Sequence, residues 1–321
     1  MRIVRALLPF LVLLCALPAQ AQYPDHPIRL VVPQAAGSAT DTVARLLGPA
    51  LSEALGGQTI VIDNRPGGAL TIGIDQVAKA PPDGYTIGMG PIGALAITRH
   101  MVSKLPYDIE HDLQPVALVT RGQLLLAVTP KLPVKSVREL IGYAKANPGK
   151  LVNASSSNGS PGHVGGELFK YMTGTEILHV PYRGGAQAIA DLASGQVQLM
   201  FESLNSIAPY AKQGTVRALA VSGERRSPAM PELPTIAEAG VRGYEASTWA
   251  GIIAPAGLPR PILERLNAAI NQAIKSAAFK ERSVTFGDEG GGGTPEEFAD
   301  LIKRDAAKWG EVVKRSGARL D

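Results

Sequence analysis

The chain has 321 residues, of which 45% are hydrophobic, 19% charged and 5% aromatic, with a formal net charge of +4 and one cysteine. At ~150 residues per domain the length suits two domains, and the apolar content excludes a disordered or fibrous chain. The weak positive charge, with no basic stripe interleaved with aromatics, excludes a nucleic-acid partner. From the N-terminus, Arg2 and Arg5 precede the mostly apolar Ala6 to Leu17, and Ala19-Gln20-Ala21 fits a signal-peptidase site. A secretory signal cleaved after Ala21 is expected, since the apolar run falls short of the ~20 residues of a membrane span. Cys15 lies inside this leader behind Leu14, where lipoprotein processing needs a small residue. The exported chain is therefore expected to have no cysteine, no disulfide and a formal charge of +2.

Beyond the leader, strand and helix signals alternate. The pattern predicts strands at Ile28–Val32, Thr59–Asp63, Tyr85–Met89, Leu124–Val128, Leu151–Ala154, Glu176–Val180, Val197–Phe201, Val216–Val221 and Thr248–Ala254. Helices fit between them at Asp41–Leu55, Leu70–Lys79, Val137–Ala146, His163–Met172, Ala186–Ala193 and Ile207–Lys212, with two more around Pro261–Lys275 and Pro295–Arg315. Such alternation predicts an α/β fold with mostly parallel sheets. The segment from Asp112 to Arg121, which contains the apolar run Val116–Val119, is a candidate crossing between two lobes, and Ser222–Arg226 a candidate return. This gives a discontinuous first lobe, 22–121 with 223–321, and a second lobe, 122–222. The stretch Gly287–Gly293 reads as a flexible loop.

Most enzyme signatures fail. The residues Gly88, Gly90 and Gly93 match a dinucleotide fingerprint, but they follow the third strand, and Pro91 removes a donor from the turn. Asn158 to Gly162 is a displaced nucleophile elbow with His163 on the same helix start, a poor place for the base of a triad. The five histidines form no HxH or HxxxH pair and have no cysteine partners, so no metal or other cofactor is expected.

Two strand–loop–helix junctions carry a different chemistry. After Val32 come Ala35, Ala36, Gly37, Ser38 and Ala39, small residues that leave backbone N–H groups accessible, and then Thr40 or Asp41 as an N-cap. The stretch Asn153 to His163 repeats the plan, with Ser155, Ser156, Ser157 and Ser160 before a helix that has Pro161 at its first position. Free N–H groups at the positive end of a helix dipole make a site for an anion. A third junction, Val180 to Ala188, offers Arg183 as a cation. Two such helix starts facing each other at strand carboxyl ends would hold a small anion between lobes.

The segments "PIRLVVPQAAGSATD", "VIDNRPGGALTIG", "PPDGYTIGMG", "SSSNGSPGHVGGELF", "HVPYRGGAQAIADLASGQVQLMF" and "WAGIIAPAGLP" occur in this order after the leader. Together they resemble the periplasmic substrate-binding proteins of tripartite tricarboxylate transporters, the Bug (TctC-like) family. The resemblance implies a two-lobed, type II-like periplasmic binding protein, monomeric and non-catalytic, that closes on a small organic carboxylate and delivers it to membrane transporter subunits. Its ligand set, carried over by position, is Ala36, Gly37, Ser38, Ala39 and Asp41 on one side, and Ser155, Ser156, Ser160, His163 and Glu202 on the other. Gly90 and Arg183 complete the expected set. Two rivals stand beside it: a ligand-sensing partner of a membrane sensor kinase, and an exported α/β hydrolase. The chain departs from the family pattern with Ser38 for a second glycine, Glu202 for Asp, Pro91 and Ile92 after the third strand, and Ala69-Leu70 in the "NRPGGAL" turn. These changes predict a ligand with a less polar distal end.

Overall fold

Hydrophobic residues in short runs, punctuated by glycine and proline, make strands buried on both faces. In β1 (Ile28–Val32), Ile28, Leu30, Val31 and Val32 are completely buried. A computed structural model describes residues 23–285 and 287–320; the expected leader, its Cys15 and its cleavage site lie outside the described residues. With α1 (Ala39–Ala54), β2 (Ile60–Asn64), α2 (Thr71–Ala78) and β3 (Thr86–Pro91), β1 forms a unit in which β2 and β3 flank it in parallel. A π-type turn at Gly93–Ile97, entirely buried, follows β3.

The chain then enters β4 (Leu113–Val128), at 16 residues the longest strand described. Up to Gln123 it pairs antiparallel with β9 (Ser247–Pro255); from Leu124 onward it pairs with β7 (Leu199–Ser203) and β8 (Arg217–Val221). One strand thus carries the chain from the first sheet into the second, whereas the sequence predicts only its last five residues as strand. The second sheet continues through α3 (Val137–Ala146), β5 (Leu151–Ser155), α4 (Pro161–Thr173), β6 (Ile177–Pro181), α5 (Gly185–Ser194) and α6 (Leu204–Lys212). The overall strand order is β2-β1-β3-β9-β4-β7-β5-β6, which gives a two-lobed α/β fold.

The return path differs from the expected crossing at Ser222–Arg226. That segment stays on the second sheet: Val221 bridges Thr235, Ala246 N–H donates to the Ser222 carbonyl, and the Tyr244 hydroxyl reaches the Gly165 carbonyl at 2.9 Å. First-sheet pairing resumes only at Ser247, opposite Gln123. After β9, α7 (Arg260–Lys275) and α8 (Ala277–Thr285) pack by the first sheet. The Gly287–Gly293 stretch is not a free loop. Its β10 (Glu289–Gly290) pairs with Thr120 and Arg121, and the Gly291 and Gly292 N–H groups donate to the Val119 and Leu118 carbonyls at 2.8 Å. Finally α9 (Pro295–Ser316), opened by a Thr294–Glu297 capping box, buries Phe298, Leu301, Ile302 and Trp309 against β4 and the π-type turn.

Candidate functional site

In the first loop, Ser38 is the N-cap of α1 and its hydroxyl accepts the Asp41 N–H at 3.2 Å. Gly37 turns the chain at φ +80°, a conformation glycine adopts without strain. Beneath the loop sits Asp41, with 1% of its surface exposed. Its carboxylate accepts from Gly37 N–H at 2.8 Å, Asn64 Nδ2 at 2.9 Å and Arg45 Nε at 2.9 Å. Asn64 also donates to the Gln34 carbonyl at 3.0 Å, tying both ends of the loop to one amide. Burial by itself raises the Asp41 pKa, but the bonds from Arg45, Gly37 and Asn64 outweigh it and hold the carboxyl below its ordinary value.

The serine-rich loop repeats the geometry. Ser160 caps α4 and accepts the His163 N–H at 3.3 Å, Pro161 occupies the first helical turn, and Gly159 turns at φ +73°. Its support is neutral. The Gly159 N–H donates to His163 Nδ1 at 3.1 Å, and His163 stacks on His179 with centroids 3.8 Å apart and planes 6° from parallel. His179 Nε2 lies 2.7 Å from the Ser155 hydroxyl, which also reaches the Ser157 carbonyl at 3.0 Å. Burial pushes the His163 pKa down to about 3 and that of His179 down to about 4, so both rings are uncharged at neutral pH. With Nδ1 engaged by Gly159 and one face covered by His179, His163 serves the loop. It is not set up as a base for Ser160.

Both helix starts open onto one cleft of about 910 Å³. Ala36, Gly37, Ser38 and Ala39 line it from the first lobe, and Ser156, Ser160, Arg183 and Glu202 from the second. The start of α5 adds Gly184 and Gly185. The remaining expected contacts lie behind the wall. Asp41, Ser155 and His163 are buried supports of the two loops, for the reasons just given. Gly90 belongs to the packing of β3: a Cβ there would stand 2.5 Å from Leu95 and 3.2 Å from Ile253, so the glycine makes room for neighbours rather than for a ligand. Gly88 likewise leaves space for Val77, which removes the dinucleotide reading of this stretch.

The charge of the cleft is unusual for an anion site. Glu202 is buried, with Oε1 accepting the Ser203 N–H at 2.8 Å and Oε2 left without a hydrogen-bond partner. Burial pushes it up to about 7 against the pull of bonds from Ser203 and Ser156. Asp288, which sequence reading missed, lines the same cleft beside Thr120, Gly122 and Thr248. Its Oδ1 fills the space above Gly122, 2.3 Å from where a Cβ would stand, and burial pushes its pKa up to about 7 as well. Neither carboxyl forms an ion pair among the described residues. Leu70, Ile92, Thr98, Trp249 and Leu320 also line the cleft without having been singled out as contacts. Among the described residues no three His, Cys, Asp or Glu side chains are grouped to hold a metal, and no helix is long and apolar enough to cross a membrane.

Comparison with known proteins places the chain among relatives of the same fold. The family model for the tripartite tricarboxylate transporter family receptor matches residues 43–318. The protein BugT of Bordetella pertussis is 36% identical over 299 residues, covering 93% of this chain and 91% of its own. The solved structure of Rpa4515 from R. palustris with adipate superposes with a TM-score of 0.86 at 41% identity, covering 93% of this chain and all of that one. The periplasmic binding protein BugD superposes with a TM-score of 0.83 at 32% identity, covering 92% and 99% of the two chains.

Proposed function

The chain belongs to the tripartite tricarboxylate transporter receptor family, whose members bind substrates rather than transform them, and from this we propose that it is an exported receptor for a small organic carboxylate. The observation that carries the reading is the pair of serine-capped helix starts, at Ser38 and Ser160, opening onto one cleft from two lobes. Backbone N–H groups at both would meet the carboxylate, with Ser156, Ser160 and Arg183 adding donors. The small side chains of Ala35 to Ala39 let the anion approach the backbone. Bridging water costs little relative to a direct bond, so the cleft need not fit the carboxylate tightly.

Capture proceeds by closure of one lobe on the other about β4, the strand that leaves the first sheet at Gln123 and enters the second at Leu124. Its place of action is the periplasm, in keeping with the secretory leader expected at residues 1–21 and with the periplasmic binding protein BugD. The closed form then docks, as a monomer, on membrane subunits that take up the solute. Uptake of radiolabelled solute into cells carrying those subunits tests delivery: loss on deleting this gene supports it, and unchanged uptake with an altered transcriptional response assigns the protein to sensing instead.

A further inference from the structure

The turn after β2 enters the cleft in a conformation that its residues resist. Gly67, Gly68, Ala69 and Leu70 all have positive φ, at 118°, 56°, 51° and 79°. Glycine takes such angles freely; alanine and a γ-branched leucine do not, because Cβ crowds the following carbonyl. Left-handed residues of this kind persist where the surroundings hold them, and they concentrate at ligand sites. Here the Leu70 N–H donates to the Gly67 carbonyl at 3.0 Å, the Thr71 hydroxyl to the Gly68 carbonyl at 2.6 Å, and the Thr98 hydroxyl to the Ala69 carbonyl at 3.2 Å.

The result is a half-buried leucine on the cleft wall. Its Cδ1 lies 3.1 Å from where a Cβ on Gly93 would stand, and the Gly159 carbonyl of the serine-rich loop approaches the same point at 3.6 Å. Leu70 therefore sits where the π-type turn of the first lobe meets the anion-binding loop of the second. The half-buried Ala69 lines the cleft with it, Ile92 behind them is 1% exposed, and the Thr98 hydroxyl is already committed to the Ala69 carbonyl. This part of the wall offers hydrocarbon and few free donors.

We propose that Leu70 is a specificity-determining residue, whose side chain with that of Ala69 receives the hydrocarbon body of the bound acid. The cleft would then favour carboxylates with an unsubstituted alkyl chain over hydroxylated acids of the same length. This inference rests on the carboxylate-receptor reading, and the test separates the two. Calorimetric titration of the ligand-stripped protein uses matched probes: adipate against its tetrahydroxylated form galactarate, and succinate against malate.

The wild-type protein is expected to prefer the unsubstituted member of a pair by about tenfold or more, the scale on which apolar pockets discriminate. In Leu70→Asn, which keeps a residue tolerant of the left-handed region, that preference should fall about tenfold. Leu70→Gly should lose the preference as well, and its melting temperature reports separately on the fold. A preference unchanged in both variants, or a wild-type preference for the hydroxylated acids, overturns the inference while leaving the receptor reading intact. Binding of none of these four acids, nor of any mono-, tricarboxylate or aromatic acid, overturns both.

Discussion

The first-lobe loop, Gln34 to Asp41, and the second-lobe loop, Ser155 to His163, share a plan: strand end, left-handed glycine, serine cap, helix. What lies beneath them differs. The first rests on an ionised carboxylate that gathers three donors; the second rests on two stacked, uncharged imidazoles. The shared part is the set of N–H groups presented to the cleft, and the support can be charged or neutral provided its hydrogen bonds are satisfied. The difference separates how mutation and pH act on the two halves of one site.

Asp41→Ala should have the largest effect. It leaves the Gly37 N–H without its acceptor, removes one of the two acceptors of Asn64 and releases the exposed Arg45 to water, and should cost about 3 kcal/mol, the upper end for unmet buried hydrogen bonds. Chemical denaturation measures this, and hydrogen exchange at Gly159 should stay unchanged if the loops are independent. His163→Ala should come next, at about 2 kcal/mol, since it removes a buried ring and the Gly159 acceptor together. His163→Phe sharpens the comparison by restoring ring area without the acceptor, and should recover only part of the loss.

Acid should separate the loops further. The folded pKa values of His163 and His179 lie below the unfolded value of about 6.5, so the unfolded chain binds more protons between those limits. Their contribution to stability is full above pH ~6.5 and declines as pH falls towards about 4. Asp41, with its pKa depressed, contributes fully above the unfolded carboxyl pKa and loses its contribution as pH falls through its own lower value. Urea midpoints from pH 4 to 8 should therefore show an acid-side slope that weakens in the double variant His163→Phe/His179→Phe.

Glu202 and Asp288 work in the opposite direction. Both have folded pKa values raised to about 7, so their stabilising effect is full below the unfolded carboxyl pKa and is lost as pH rises through 7. The same ionisation adds negative charge to the cleft, so affinity for a carboxylate should fall as pH rises through 7. Glu202→Gln should flatten that profile. Smallest of all, Ser38→Ala and Ser160→Ala should each cost about 1 kcal/mol as lost N-caps, and their effects should add.

Much of this site was legible in the sequence because it is local. Ser160 before Pro161 reads as the cap that it is, whereas the first helix reads as capped by Thr40 or Asp41 and is capped instead by Ser38, whose hydroxyl takes the Asp41 N–H; β1 and α3 coincide with their predicted ranges. The lost information is long-range. Pro115, Thr120, Arg121 and Gly122 interrupt the apolar pattern of β4, whose continuity comes instead from irregular pairing with β9, with register shifts near Pro115 and Leu118. The glycines around Asp288 read as flexible, because nothing in their sequence announces bonds to Leu118 and Val119. His179 lies 24 residues from Ser155 and shows no sign of the stack it makes. The left-handed Ala69-Leu70 turn runs against residue preference, so only the three-dimensional arrangement reveals it.

The central claim is that backbone N–H groups of two lobes hold a carboxylate. The most direct test is a thermal shift of refolded, ligand-stripped protein with adipate and with adipamide, its diamide, within a wider panel of paired acids and amides. Ligand at ~100 times its dissociation constant stabilises by about 2.7 kcal/mol, well within detection. The account predicts a shift from at least one acid in the panel and none from the matching amide. Equal shifts from acid and amide, or a cooperative melt that no carboxylate moves, would contradict it.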